Sequence, residues 1–388
     1  MMADGTVRVR PPLRGSTGHD DLSILHPCIN QTAQDTKVLE SAMSTPRVSV
    51  VMPVFNGERF LRGAVDSILK QSFHDFEFLI VDDGSTDSTP SILECYRRQD
   101  KRIKVLRQSN RGIVESLNRG CLVARGDYVA RMDADDVCAP QRLENQVAFL
   151  DASPEIGLVG CGKYDNIDVT GAVLYTTYLP ENNETIQRTL VQRWCFLHPS
   201  IMFKRSLLGE AGFYRKEFEG AEDHDFILRL LEHCQAHNLQ ERLISYRLNP
   251  KGLSITCHQY MNDLGEVAMR LARRRRCGQP EDLELELGEL RALKERRKRP
   301  GGLAGALQLA KDSLYAANRY YGFGCRELCA GQLHNARRCF LRSLRTNCLF
   351  VKSWIGVGLS LMPFAASRLR FVFRRSMQEC HGEVVSAQ

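Results

Sequence analysis

Beyond residue 46 the chain alternates two hydrophobic rhythms. Short runs of β-branched and aromatic residues read as buried strands, and segments whose apolar residues recur every three to four positions read as helices. Residues 48–52, Val-Ser-Val-Val-Met, predict a first strand stopped by Pro53. Residues 58–71 place Phe60, Leu61, Ala64, Val65, Ile68 and Leu69 at helical spacing. A second strand over 76–81 breaks off at the polar loop Asp82-Asp83-Gly84-Ser85-Thr86-Asp87, and a helix over 92–98 follows. Residues 103–106 predict a third strand, Asn110-Arg111-Gly112 leads into a helix ending at Ala124, and 128–132 predict a fourth strand. This alternation implies βαβ units, a Rossmann-like, mostly parallel sheet flanked by helices, and ligands at the carboxyl ends of the strands.

The rhythm then loosens. A helix over 141–151, a strand over 156–161, a hairpin turn at Asp168-Val169-Thr170-Gly171 and a returning strand over 173–178 are expected. So are helices over 182–192 and 222–237 and short strands over 200–203 and 243–248. Residues 1–46 are rich in Gly, Pro, Ser, Thr and Asp and predict a disordered tail. Residues 47–255 form an expected α/β domain, 256–299 a charged helical linker, and 300–388 an α-helical C-terminal region. Residues 331–340 resemble half of a tetratricopeptide repeat, but one copy makes no solenoid.

Charge divides the chain unevenly. Residues 256–388 hold 23 Lys+Arg against 12 Asp+Glu, net +11, whereas residues 1–255 hold 30 against 34, net −4. An acidic first part argues against nucleic acid as its ligand, and a basic second part suits an anionic membrane surface. In the tail, residues 368–375 mix Arg with Phe and either lie on such a surface or end a solvated helix. No run reaches the roughly 18 apolar residues of a membrane span. The 14 cysteines show no C-x-x-C spacing and read as reduced thiols, so a cytoplasmic location is expected, with peripheral contact to the cytosolic membrane face as the option the basic second part adds.

The candidate chemistry sits where the strands end. Arg131-Met132-Asp133-Ala134-Asp135-Asp136 closes the fourth strand with three carboxylates in four residues. Carboxylates this close raise one another's pKa unless a cation lies between them, and an all-oxygen donor set suits Mg²⁺ or Mn²⁺ carrying a diphosphate. An acidic turn that caps the next helix is the alternative, and Asp136 is expected to be such a cap. The Pro53–Asn56 turn and the 82–87 loop end on the same sheet edge, and three polar loops converging there favour a nucleotide site.

Six motifs, Pro53-Val54-Phe55-Asn56, the 82–87 loop, Asn110-x-Gly112, Leu117-Asn118-x-Gly120, Asp133-x-Asp135 and Glu222-Asp223, resemble in order those of family 2 glycosyltransferases over residues 47–255. The resemblance implies the glycosyltransferase A-type fold, a nucleotide-sugar donor (UDP- or dTDP-sugar) and inversion at the anomeric carbon. It implies Asp135 as metal ligand, Asp133 and Ala134 at the ribose or the ion's water shell, and Asp223 as general base. Asp83 would meet the imide N–H of uracil or thymine, Asp82 would support the loop, and Pro53, Val54 and Phe55 would line the base pocket. Gly112 would lie along the donor.

Several positions keep two readings. Glu58 either touches the nucleotide or favours a helix N-terminus; Arg111 and Gly112 either aim N–H groups at an anion or simply start a helix. Arg247 pairs with a phosphate or with a neighbouring side chain. His198 is expected to be structural, and Asp225 to favour its helix dipole. The acceptor would be a hydroxyl of a glycan or lipid-linked sugar, and nothing in the sequence states an oligomeric order. The Gln192-Arg193-Trp194 run is not the Gln-x-x-Arg-Trp motif of processive synthases, so chain extension through a membrane pore is not expected. The rivals are a nucleotidyltransferase, which would carry a Gly-rich basic first loop, and a non-catalytic scaffold.

Overall fold

The β-branched run that opens the domain becomes β1 (Val48–Val54), buried at all seven positions. Its alternate side chains serve two cores. Val51 points into one, while Val48, Val50, Met52 and Val54 point into the other. Strand β2 (Phe76–Asp82) does the same with Leu79 against Phe76, Phe78 and Ile80. This two-residue period explains why a continuous apolar run is needed where helices cover both sheet faces.

The computed structural model describes residues 45–190, 194–249, 258–298, 333–346, 348–349 and 351–360, with Tyr321, Gly324 and Leu328. The expected 1–46 tail (apart from its last two residues), the Gln192-Arg193 pair, Ser254, which shares with Arg247 the run expected to close the domain, and the 368–375 segment lie outside the described residues.

Helices α1 (Leu61–Leu69), α2 (Thr89–Gln99) and α3 (Ile113–Val123) alternate with β1, β2, β3 (Ile103–Arg107) and β4 (Tyr128–Arg131). These four strands pair in parallel in the order β3-β2-β1-β4. Beyond β4 come β5 (Val137–Cys138), α4 (Arg142–Ala152), β6 (Ile156–Ile167), β7 (Val173–Tyr178) and α5 (Asn183–Leu190). A 3₁₀ turn at His198–Ser200, β8 (Met202–Lys204), α6 (Leu207–Ala211), α7 (Glu222–Leu230) and β9 (Gln235–Arg247) complete the sheet, which runs on as β8-β6-β9-β5 with β7 on β6. The fold class stands, but the sheet is mixed: β4–β8, β6–β8, β6–β7 and β5–β9 are antiparallel.

One boundary departs from expectation. The helix expected over 222–237 stops at Leu230, and Gln235 enters β9 in parallel register with Ile156. Pairing along β6 overrides the helical propensity of residues 235–237, where Ala236, followed by Asn238 and Leu239, becomes buried. The charged stretch expected as a helical linker is helical over 258–276 and 283–298 and packs on the domain. Helices α8 (His258–Arg276) and α9 (Leu283–Lys298) bury Leu264, Val267, Ala268, Leu271, Ala272, Leu287 and Leu290 in the same core as Phe218 and Phe226. The α8 positions repeat at helical spacing, and each large apolar side chain contributes about 1.5–3 kcal/mol when buried. Ion pairs Arg215–Glu281 (2.9 Å) and Arg270–Glu286 (2.7 Å) line the outside of this packing. Further on, α10 (Leu333–Thr346) and α11 (Val351–Ser360) meet through a buried Ser343–Ser353 hydrogen bond of 2.6 Å.

Candidate active site

The first two strand-end loops are laced together. Asn56 N–H donates to Ser85 Oγ (2.9 Å), Gly57 N–H to Thr89 Oγ1 (2.9 Å) and Glu58 N–H to Asp87 Oδ2 (3.1 Å). In return Asn56 Oδ1 accepts from Thr86 N–H (2.8 Å) and Glu58 Oε2 from Ser88 N–H (3.0 Å). Glu58 thus serves the N-terminus of α2 rather than that of its own helix. Pro53 and Val54 are buried, Phe55 stands out half exposed (50%), and Asn56 sits at φ 49°. A Cβ added to Gly57 would meet Val54 Cγ2 at 2.6 Å and Ala134 Cβ at 3.9 Å, so Ala134 lies against this first turn.

Asp82 accepts Ser85 N–H at 3.0 Å and holds the loop's turn. Asp83 is buried and accepts from Gln108 Nε2 (2.7 Å) and Arg111 N–H (2.9 Å) on Oδ1, and from Gly112 N–H (2.8 Å) on Oδ2. The amides of Arg111 and Gly112 are therefore engaged by a side chain of the protein and not held out for a passing anion. Gly112 starts α3 at φ +92°, the left-handed region, and a Cβ there would lie 2.0 Å from Glu219 Oε1. Lys216 Nζ also donates to Arg111 carbonyl (2.7 Å) and pairs with Glu219 (2.8 Å), tying this loop to the chain that enters α7.

At the end of β4, one carboxylate oxygen from each of Asp133, Asp135 and Asp136 lies within 4.8 Å of the others. Burial, then repulsion from Asp133, raises Asp135 to about 6. Asp136 is raised further by burial and by Asp133 and Asp135. It does not cap the following helix. Its Oδ1 accepts Arg247 N–H across the β5–β9 pairing (2.7 Å), and its buried Oδ2 has no hydrogen-bond partner among the described residues. An orphaned buried oxygen inside an all-oxygen, mutually repelling cluster fits a hard divalent cation. The Arg247 guanidinium donates to the carbonyls of Asp135 (2.7 Å) and Asp168 (2.7 Å) and lies 4.6 Å over Phe60. It shapes the acidic loop from behind.

Arg131, which the sequence reading left without a role, joins the two sides. It is buried; its Nη1 lies 2.5 Å from Asp133 Oδ2, and its Nε has no partner among the described residues. Burial works against its charge, yet Asp133, Tyr214 and Asp136 outweigh that and hold it protonated. The same guanidinium favours the ionised forms of Glu222 and Asp223. Asp223, at the first turn of α7, keeps 19% of its side chain open and is raised to about 8, by burial first and by neighbouring Glu222 second. His198 Nδ1 is 4.0 Å from Asp223, while its Nε2 is 3.0 Å from Tyr214 Oη. Burial, with Arg131 adding to it, keeps this histidine neutral. Asp225 is bound by Arg215 and Arg229 (Arg229 Nη2–Asp225 Oδ2, 2.9 Å), an ion-pair role beyond the helix-dipole one expected.

The arrangement defines a class: an α/β enzyme with an acidic, cation-suited cluster and a raised-pKa carboxylate placed around one buried guanidinium at a sheet's carboxyl edge. Comparison with known proteins gives the family. The sequence model described as Glycosyl transferase family 2 matches residues 49–212. EpsE of Bacillus subtilis is 34% identical over 238 residues, covering 60% of this chain and 84% of EpsE. The O-antigen biosynthesis glycosyltransferase WbnJ of Escherichia coli is 31% identical over 208 residues, 53% of this chain and 80% of WbnJ. Among solved structures, S. aureus TarS in complex with UDP-GlcNAc aligns with a TM-score of 0.49 at 19% identity, over 80% of this chain and 89% of that one. The chain belongs to glycosyltransferase family 2 and is a glycosyltransferase. Membership sets aside the nucleotidyltransferase and scaffold readings. No helix among the described residues is long and apolar enough to cross a membrane.

Proposed function

We propose that this enzyme transfers one sugar, with inversion, from a nucleoside diphosphate donor to a hydroxyl of a glycan or lipid-linked acceptor in polysaccharide assembly. The names of its relatives support the polysaccharide setting. One observation carries the chemistry: Arg131 is 2.5 Å from Asp133 of the acidic cluster and acts electrostatically on Asp223. This link supports placing the metal-binding and proton-accepting carboxylates in one site.

Asp135, with Asp133 and Asp136, would hold Mg²⁺ or Mn²⁺. A divalent cation there supplies Lewis-acid stabilisation to the leaving diphosphate. Pro53, Val54 and half-exposed Phe55 line the base side, with Ala134 beside the same turn. Asp83 Oδ2 accepts one hydrogen bond among the described residues and has a lone pair left for the imide N–H of uracil or thymine. Gly112 keeps that loop close to Glu219 and leaves room for the donor. Asp223 takes the proton of the acceptor hydroxyl as its oxygen bonds to the anomeric carbon. The bond from that carbon to the diphosphate breaks on the opposite face, and its electron pair leaves with the nucleoside diphosphate. A single displacement inverts the centre, as in inverting hydrolases.

The test is turnover of UDP-sugars with Mn²⁺, read beside donor binding. Asp135→Ala should lose the Mn²⁺-dependent part of donor binding. Asp223→Asn should bind donor normally and turn over about 10²–10⁴-fold more slowly. Wild-type turnover in both variants would refute the assignment.

A further inference from the structure

The helical hairpin of α10 and α11 lies outside the catalytic chemistry and carries an unusual surface. Its own small core is Leu328, Ala336 and Phe340. Around the turn that joins the helices, large apolar side chains point into water: Leu349 is 84% exposed, Trp354 58% and Ile355 58%. Trp354 Nε1–H is satisfied internally by the Cys348 carbonyl at 3.0 Å, so the indole's polar atom is spent within the turn. Exposed Arg345 and Lys352 flank these residues, and Arg338, Leu341 and Arg345 share one helical face by their spacing of three and four. Residues 328–378 hold nine Lys and Arg and no Asp or Glu. A solvated helix face mixes both signs, whereas a stretch without carboxylates is complementary to an anionic surface.

We infer that the α10–α11 turn is a docking tip for an anionic lipid bilayer, with Leu349, Trp354 and Ile355 entering the headgroup boundary and Arg345 and Lys352 meeting lipid phosphates. Trp at such a boundary presents an apolar ring with its N–H accounted for, as here. A nucleic acid would match the cations but leaves Leu349 and Ile355 exposed to water. The tip would hold the enzyme where a lipid-linked acceptor is presented. It stands on different residues from the donor site, so either reading can fail without the other.

The experiment is sedimentation of the full chain with phosphatidylcholine vesicles, with and without phosphatidylglycerol, at low and high salt. Wild type should sediment with the anionic vesicles only, less at high salt. Leu349→Ser/Trp354→Ser/Ile355→Ser should weaken this at least tenfold. Arg345→Glu/Lys352→Glu should weaken it at least 25-fold, since each cation near an anionic leaflet strengthens binding about fivefold. Donor binding should be unchanged in both variants, which also reports that they fold; if the apolar variant does not fold, the charge variant decides. Failure of wild type to sediment, wild-type sedimentation by the charge variant, or by a folded apolar variant, or tighter retention on DNA than on vesicles would overturn the inference.

Discussion

On the β3-β2-β1-β4 side every pairing is parallel and helices make the crossovers; on the β8-β6-β9-β5 side most pairings are antiparallel and join distant parts of the chain. The two sides contribute different kinds of group. The parallel side delivers loops whose polar groups satisfy one another, as in the lacing of Asn56 and Glu58 to residues 85–89. The mixed side delivers ionisable groups, buried Glu222 and His198 and partly open Asp223, whose properties come mainly from desolvation. A satisfied frame can hold a nucleotide without changing its own protonation. A proton acceptor must instead be poised near the working pH, and burial achieves that. Arg131, the last residue of β4, stands at the seam.

The largest effect on this division should come from Arg131→Met. It leaves partly exposed Asp133 and buried Asp136 without that cation, and since breaking a fully buried pair costs about 3–5 kcal/mol, this one should cost up to about that much. Urea unfolding should show that loss, with Arg131→Lys losing distinctly less. Turnover should suffer on both sides at once: weaker Mn²⁺-dependent donor binding, and a kcat/KM–pH curve displaced to higher pH because Asp223 has lost a favourable charge. A variant with altered donor binding and an unmoved pH curve would show that the two sides are independent.

Second is the pH dependence of the mixed side by itself. Asp223 is raised from 3.8 to about 8. Between those values the folded chain holds a proton that the unfolded chain has released, so its contribution to stability falls as pH rises through this window. Catalysis by the proposed base Asp223 should have the opposite slope, since it must be ionised. With saturating Mn²⁺, kcat/KM should climb to a plateau above about pH 8, and Asp223→Asn should remove both slopes. An apoprotein whose unfolding midpoint is as pH-dependent in Asp223→Asn as in wild type would place the proton elsewhere.

What could be read in advance follows the same seam. The first four strands and three helices are local βαβ units, so the period of apolar residues reports them directly, with boundaries differing by a few residues at most. Their loops announce themselves by polarity. The mixed side depends on partners far along the chain. β5 has only two residues and no periodicity to detect, yet its pairing with β9 turns Asp136 toward Arg247 and away from the helix it was expected to cap. Residues 235–237 read as helix because their tendency to pair with β6 is invisible locally. Arg131 was visible in the acidic motif, but its burial was not, and burial is what gives it a role. The charged segment 256–299 hid an apolar stripe at 264, 267, 268, 271 and 272 that its composition outweighed.

The smallest effect tests whether the parallel side is only a frame. Glu58 Oε2 accepts Ser88 N–H at 3.0 Å, on an exposed surface at the start of α2. Replacing such a cap costs about 1 kcal/mol, so Glu58→Ala should lower the unfolding midpoint by a few degrees. Glu58→Gln keeps an acceptor oxygen and should recover most of that. If Glu58 serves the frame alone, donor KM stays at the wild-type value in Glu58→Gln and changes in Glu58→Ala only as far as the loop loosens. If its charge also meets the nucleotide, the two variants shift donor KM equally while their midpoints differ. That pattern would move one side chain from the satisfied frame into the binding surface and would blur the division of labour between the halves. Equal midpoints for Glu58→Ala and wild type would instead show that Asp87, which already accepts Thr89 N–H at 2.9 Å, holds the helix start without help.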